Sequence, residues 1–165
     1  MTSPLSRAFQ ALADRVVAEY RAALGDDRVA IALFGSVARG QARPDSDLDL
    51  YVVTRRPILG DPRLCPMWGR VDASPEYQAL VAAGYRPTLS PVLHTVEELH
   101  RHSWILLDIS HHGIVLYDPT SVLERELAAV RRRMAELGSR RVELPDRSWY
   151  WDLKPDWRPG EVVDL

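Results

Sequence analysis

The chain has 165 residues, 46% of them hydrophobic and 27% charged, which suffices for one compact core and gives no reason to expect extensive disorder. A net charge of -2 argues against strong non-specific hold on nucleic acid, because that hold needs a surplus of cations to displace counterions from phosphates. The single Cys65 excludes an internal disulfide, and no basic segment leads into an apolar run, so a cytoplasmic protein with no membrane association is expected.

From Pro4 to Leu24, apolar residues recur at Leu5, Phe9, Leu12, Val16, Val17, Tyr20 and Ala23, the spacing of a helix that buries one stripe, with Gly25 as its stop. The run RVAIALFG from Arg28 then reads as a short buried strand. It is followed by SDLDLYVV, a strand whose Leu48, Leu50 and Val52 share one face, leaving Asp47 and Asp49 together on the other. Pro57, Pro62, Pro66 and Pro75 predict an irregular connection, then a helix from Pro75 to Ala83 capped by Ser74 and ended by Gly84. YRPTLSPVLHT is expected to form a third strand, at an edge or interrupted because of Pro87 and Pro91, with a short helix from Val96 to about His100 after it. A helix over Trp104 to His111, a strand over Ile114 to Tyr117, and a helix in SVLERELAAVRRRMAEL capped by Thr120 or Ser121 and closed by Gly138 come next. The tail holds one short strand, a Pro-Asp-Arg turn and an aromatic strand.

The stretch LFGSVARGQARPDSDLDLYVV carries the chemistry. A glycine turn presents successive backbone N–H groups that accept phosphate oxygens, and Ser36 adds a hydroxyl donor beside Gly35. Residues two apart on a strand lie about 6.6 Å from each other on one face. Two carboxylates about 6 Å apart repel by roughly 3 kcal/mol at an effective dielectric near 20, so a bound cation explains the Asp47 and Asp49 pair better than bare packing does. Oxygen ligands of this kind favour Mg²⁺ or Mn²⁺, which join paired carboxylates to substrate phosphates.

This segment, GSVARGQARPDSDLDL, resembles the signature of the minimal nucleotidyltransferases of the DNA polymerase beta superfamily, on Gly35, Ser36, Arg39, Gly40, Ser46, Asp47 and Asp49. In weaker form the resemblance extends over residues 5–118. It implies an α/β (α+β) fold with a mixed β-sheet flanked by helices, a C-terminal helix and short strands. It implies a nucleotidyltransferase core over 1–118 and a C-terminal helix with an aromatic β extension over 119–165, within a single domain spanning 1–165. The implied activity is transfer of a nucleotidyl group from a nucleoside triphosphate, ATP first among candidates, to a hydroxyl. By resemblance, Asp47 and Asp49 are the catalytic metal ligands for Mg²⁺ or Mn²⁺, and Gly35, Ser36, Arg39 and Ser46 bind the nucleotide. Active members bring a third carboxylate from a later strand; the matching segment here has none, and Ser90 or Thr88 stands in its place. The alternative expectation is therefore a nucleotide-binding protein with little or no turnover, antitoxin-like, acting beside a small helical partner protein.

Other residues have plainer readings. His111 and His112 point about 100° apart on a helix and suit its C-terminus better than a shared ion. His94, His100 and His102 are too loosely spaced for zinc. Asp152 and Lys154 either reach a nucleotide or cap a sheet edge. Trp149, Tyr150, Trp151 and Trp157 are expected in sheet packing or a homodimer contact rather than in base stacking. Arg131 to Arg133 complement a helix dipole.

Overall fold

The computed structural model describes residues 4–145 and 148–164. Its central sheet has the strand order β3-β2-β1-β4, formed by β1 (Arg28–Phe34), β2 (Leu48–Thr54), β3 (Leu89–Thr95) and β4 (Ile114–Tyr117). β1 pairs antiparallel with both β2 and β4, while β2 pairs parallel with β3, so the sheet is mixed as expected. β3 is an edge strand, which is where Pro91 can be accommodated without removing a ladder hydrogen bond from the sheet interior.

Alternation along β2 divides the core in two. Leu48, Leu50 and Val52 face a cluster that contains Phe9, Leu12, Val16 and Tyr20 of α1 (Pro4–Leu24), Met67 and Val71 of α3 (Leu64–Asp72) and Leu80 of α4 (Pro75–Ala82). Tyr51 and Val53 face the opposite cluster, with Leu99 of α5 (Val96–Leu99), Leu106 and Ile109 of α6 (Ile105–His112), and Leu123, Leu127 and Val130 of α7 (Val122–Leu137). Truncating a fully buried leucine such as Leu50 to alanine in a core of this kind costs about 2–5 kcal/mol, because both transfer energy and packing are lost.

The structure departs from the sequence expectations at two local points. α3 lies inside the segment expected to be irregular; Pro66 is its third residue, where a backbone N–H has no intrahelical acceptor to lose. α7 is not capped by Thr120 or Ser121. Ser121 adopts φ 53° with no side-chain cap bond, and Asp118 does the capping instead, accepting from the N–H groups of Val122 and Glu124 at 2.9 Å each. Asp146 and Arg147 of the expected Pro-Asp-Arg turn lie outside the described residues. α2 (Gly35–Ala38) is a single turn that joins β1 to the loop before β2.

β5 (Arg140–Glu143) and β6 (Trp149–Asp152) form a separate two-stranded antiparallel sheet. It is seated on α6: Trp151 Nε1 donates to Asp108 Oδ1 at 2.9 Å, and the His111 ring meets Trp151 edge-on with centroids 5.3 Å apart. That arrangement carries the packing reading of Trp149 and Trp151. Tyr150 and Trp157 remain about half exposed.

Candidate active site

β1 ends at Phe34 and the chain turns at once through α2. Gly35 has φ +72°, and a Cβ added to it would overlap Asp49 Oδ2 and stand 2.8 Å from Asp49 Cγ. Phe34 is the register partner of Asp49 across β1 and β2, so the turn is built directly over that carboxylate. No other residue type fits here, for reasons both of backbone conformation and of space.

The turn closes on itself through backbone bonds from Arg39 N to Gly35 O (3.3 Å), Gly40 N to Val37 O (3.0 Å) and Gln41 N to Ser36 O (2.9 Å). Ser46, buried ten residues further on, latches it. Its hydroxyl accepts from Arg43 N at 2.8 Å and from the Ser36 hydroxyl at 3.0 Å. The side chain of Ser46 thus fixes Ser36 and the Arg43 backbone.

Asp47 immediately precedes β2 and is exposed; Asp49 is half-buried in it. Burial pushes the Asp49 carboxyl above its ordinary pKa, the negative charge of Asp47 pushes it in the same direction, and the positive charge of Arg39 partly offsets both. A half-buried carboxylate whose ionisation is opposed both by burial and by a neighbouring carboxylate suits a divalent cation. Among the described residues no group of three or more His, Cys, Asp or Glu side chains is arranged to hold a metal.

Ser90 is the register partner of Asp49 across the parallel β2 and β3 pairing, which puts it on the Asp49 face of the sheet. Thr88 is not on that strand; its carbonyl accepts from Leu48 N at 2.8 Å. Among nearby carboxylates, Asp72 lines a cavity of about 290 Å³ with Trp68 and Tyr77, and Glu97 pairs with Arg101 at 2.6 Å. Further along the Asp49 face, Tyr51 is fully buried, and burial holds its phenol far above the usual range. Its Oη is hydrogen-bonded to His94 Nδ1 at 2.7 Å.

Arg39 is partly buried, with Nε donating to Gln41 Oε1 at 3.3 Å, and its charge is felt by both Asp49 and His112. The imidazole of His112, in the last turn of α6, accepts from Arg141 of β5 at 2.8 Å through Nε2. Burial lowers its pKa, and His111, Arg141 and Arg39 lower it further, so the ring is held neutral near Arg39. Sequence reasoning missed the pairing of Arg141 with His112, since 29 residues separate them and neither belongs to a motif. His100 Nδ1 and His102 Nε2 converge on the Glu126 carboxylate, hydrogen-bonded at 2.9 and 2.6 Å. Lys154 pairs with Glu161 and Asp152 with Arg140, so neither reaches toward the Asp47 and Asp49 corner.

Residues 15–110 match the sequence model of the nucleotidyltransferase domain, more than half of the chain. No curated protein matches it. Among solved structures it is similar to a chain of a toxin-antitoxin complex with AMP-PNP, at 17% identity and a TM-score of 0.43, covering 75% of this chain and 90% of that one. It is also similar to a chain of the Shewanella oneidensis complex of tri-AMPylated HEPN toxin with MNT antitoxin, at 13% identity and a TM-score of 0.42, covering 79% and 92%. A third is a chain of the MntA-HepT toxin-antitoxin, at 13% identity and a TM-score of 0.41, covering 78% and 92%.

Proposed function

The chain belongs to the nucleotidyltransferase domain family, and on that premise we propose that it transfers a nucleotidyl group from a nucleoside triphosphate to a hydroxyl acceptor, with ATP the donor to test first and Mg²⁺ or Mn²⁺ the cofactor. The observation that carries this reading is the packing of the Gly35 turn over Asp49, which sets a glycine turn directly against the carboxylate pair.

In this proposal Asp47 and Asp49 hold the cation. Bound there, it neutralises triphosphate charge and acidifies an attacking hydroxyl. The backbone at Gly35 and the hydroxyl of Ser36 anchor the triphosphate, and Ser46 keeps Ser36 in place. Arg39 adds a positive charge on the same side. The acceptor oxygen forms a bond to the α-phosphorus as the bond to the departing pyrophosphate breaks. The test is incubation of the pure protein with labelled nucleoside triphosphates and Mg²⁺, with and without a candidate acceptor protein. Pyrophosphate release that disappears in Asp47→Ala supports the proposal.

A second reading is favoured by Ser90. A hydroxyl is a weak metal ligand and a poor base at neutral pH, and it stands beside Asp49 where the family resemblance calls for a third carboxylate. In that reading the site binds nucleotide with little turnover and the chain acts by pairing with a small helical partner protein, antitoxin-like. Nucleotide binding without pyrophosphate release, with the partner present, selects it.

A further inference from the structure

Arg28 opens β1 at the end of the strand remote from Gly35. It is only 9% exposed, and its Nε and Nη1 are buried with no acceptor among the described residues. The neighbouring arginines differ: Arg56 and Arg63 are tied to Asp27 and Asp61, and Arg70 to Glu19. Arg28 instead lies flat on Tyr117, its guanidinium carbon 3.7 Å from the ring centroid. Stacking on the ring face offsets part of the charge's desolvation but uses none of the in-plane N–H donors. Donors left that way in a buried guanidinium cost free energy until an acceptor meets them.

The same residue lines a cavity of about 110 Å³ with Gly25, Asp26, Arg55, Tyr117 and Thr120. Arg55 is exposed and spends Nε on the backbone oxygen of Asp26 at 2.8 Å. Two guanidinium groups and the Asp26 carboxylate leave one net positive charge at the cavity. Its volume admits a phosphate-sized group but not a whole nucleotide.

We propose that this cavity is an anion site, separate from the Asp47 and Asp49 corner, in which Arg28 and Arg55 take a small phosphate-type oxyanion. The guanidinium of Arg28 supplies positive charge from within the protein, and Arg55 closes the anion in from the surface.

The test uses the full chain labelled with ¹⁵N. The Nε–H resonance of Arg28 is assigned through bonds in the wild type and confirmed by its loss in Arg28→Lys. Inorganic phosphate is then titrated at constant ionic strength, with chloride as control and AMP as a second arm. The expected result is a saturable displacement of that resonance by phosphate, absent with chloride, and an apparent affinity about tenfold weaker in Arg55→Gln. An equal response to AMP identifies the ligand as a phosphate monoester end; a response to inorganic phosphate alone identifies it as the free anion. A resonance that stays in place throughout the phosphate titration overturns the proposal, as does one that follows chloride equally. Because Arg55 is exposed, Arg55→Gln keeps the question open to test even if Arg28→Lys fails to fold.

Discussion

Gly35 and Asp49 meet in one space: the turn after β1 passes so close to the Asp49 carboxylate of β2 that only a hydrogen fits at position 35. Gly35→Ala is therefore expected to act on the site before it acts on the fold. The left-handed backbone conformation costs alanine about 1 kcal/mol, and the remaining conflict is relieved by moving Asp49. A displacement of the order of 1 Å at a reacting centre costs about a hundredfold in rate. Pyrophosphate release should fall by about that factor while the far-ultraviolet circular dichroism is retained, a pairing that a purely structural glycine would not produce.

Asp49 also sets a pH dependence. Burial and the charge of Asp47 raise its folded pKa above the unfolded value, so the folded state holds this proton more tightly. Its stabilising contribution is complete below the ordinary carboxylate range and is lost as the pH climbs through the raised value. Asp49→Asn should flatten the melting temperature over that window and raise it at neutral pH in metal-free buffer. Added Mg²⁺ should raise the melting temperature of the wild type and leave that of Asp49→Asn unchanged. Thermal melts across pH, with and without Mg²⁺, check both.

Much of this was legible in the sequence because it is written locally. The stripe of α1, the alternation of β2, the Ser74 cap and the Gly35 turn each depend on spacing or on one residue's backbone preference. What was not legible depends on distant partners. Nothing near Ser121 announces that Asp118 will cap α7, and nothing near His112 announces Arg141. α3 was hidden by prolines counted as breakers, one of which sits in the first turn where it is tolerated. At the site, both aspartates and the turn were visible in one motif. The place of Ser90 beside Asp49 depended on the register of two strands 41 residues apart, which no local pattern fixes.

Ser46 is the latch of the turn. Ser46→Ala removes the acceptor for Arg43 N–H and for the Ser36 hydroxyl, and a loss of about 1–2 kcal/mol in urea-induced unfolding is expected from the unmet donor. The apparent KM for the nucleoside triphosphate should rise at the same time, because Ser36 is freed.

Ser90→Asp places a third carboxylate on the Asp49 face. Three like charges repel, so the metal-free variant should melt below the wild type, and Mg²⁺ should more than recover the difference. If Ser90 is what limits turnover, the variant should release pyrophosphate faster than the wild type; an unchanged rate with tighter metal binding would assign the limit elsewhere.

The most direct measurement is calorimetric titration of a non-hydrolysable ATP analogue into the wild type and into an Asp47→Asn, Asp49→Asn double variant, each with Mg²⁺ and with a chelator. Two carboxylates that grip a cation beside the Gly35 and Ser36 cradle require saturable binding in the wild type with Mg²⁺, and its loss on chelation or in the double variant. Binding of equal strength in all four conditions would contradict them.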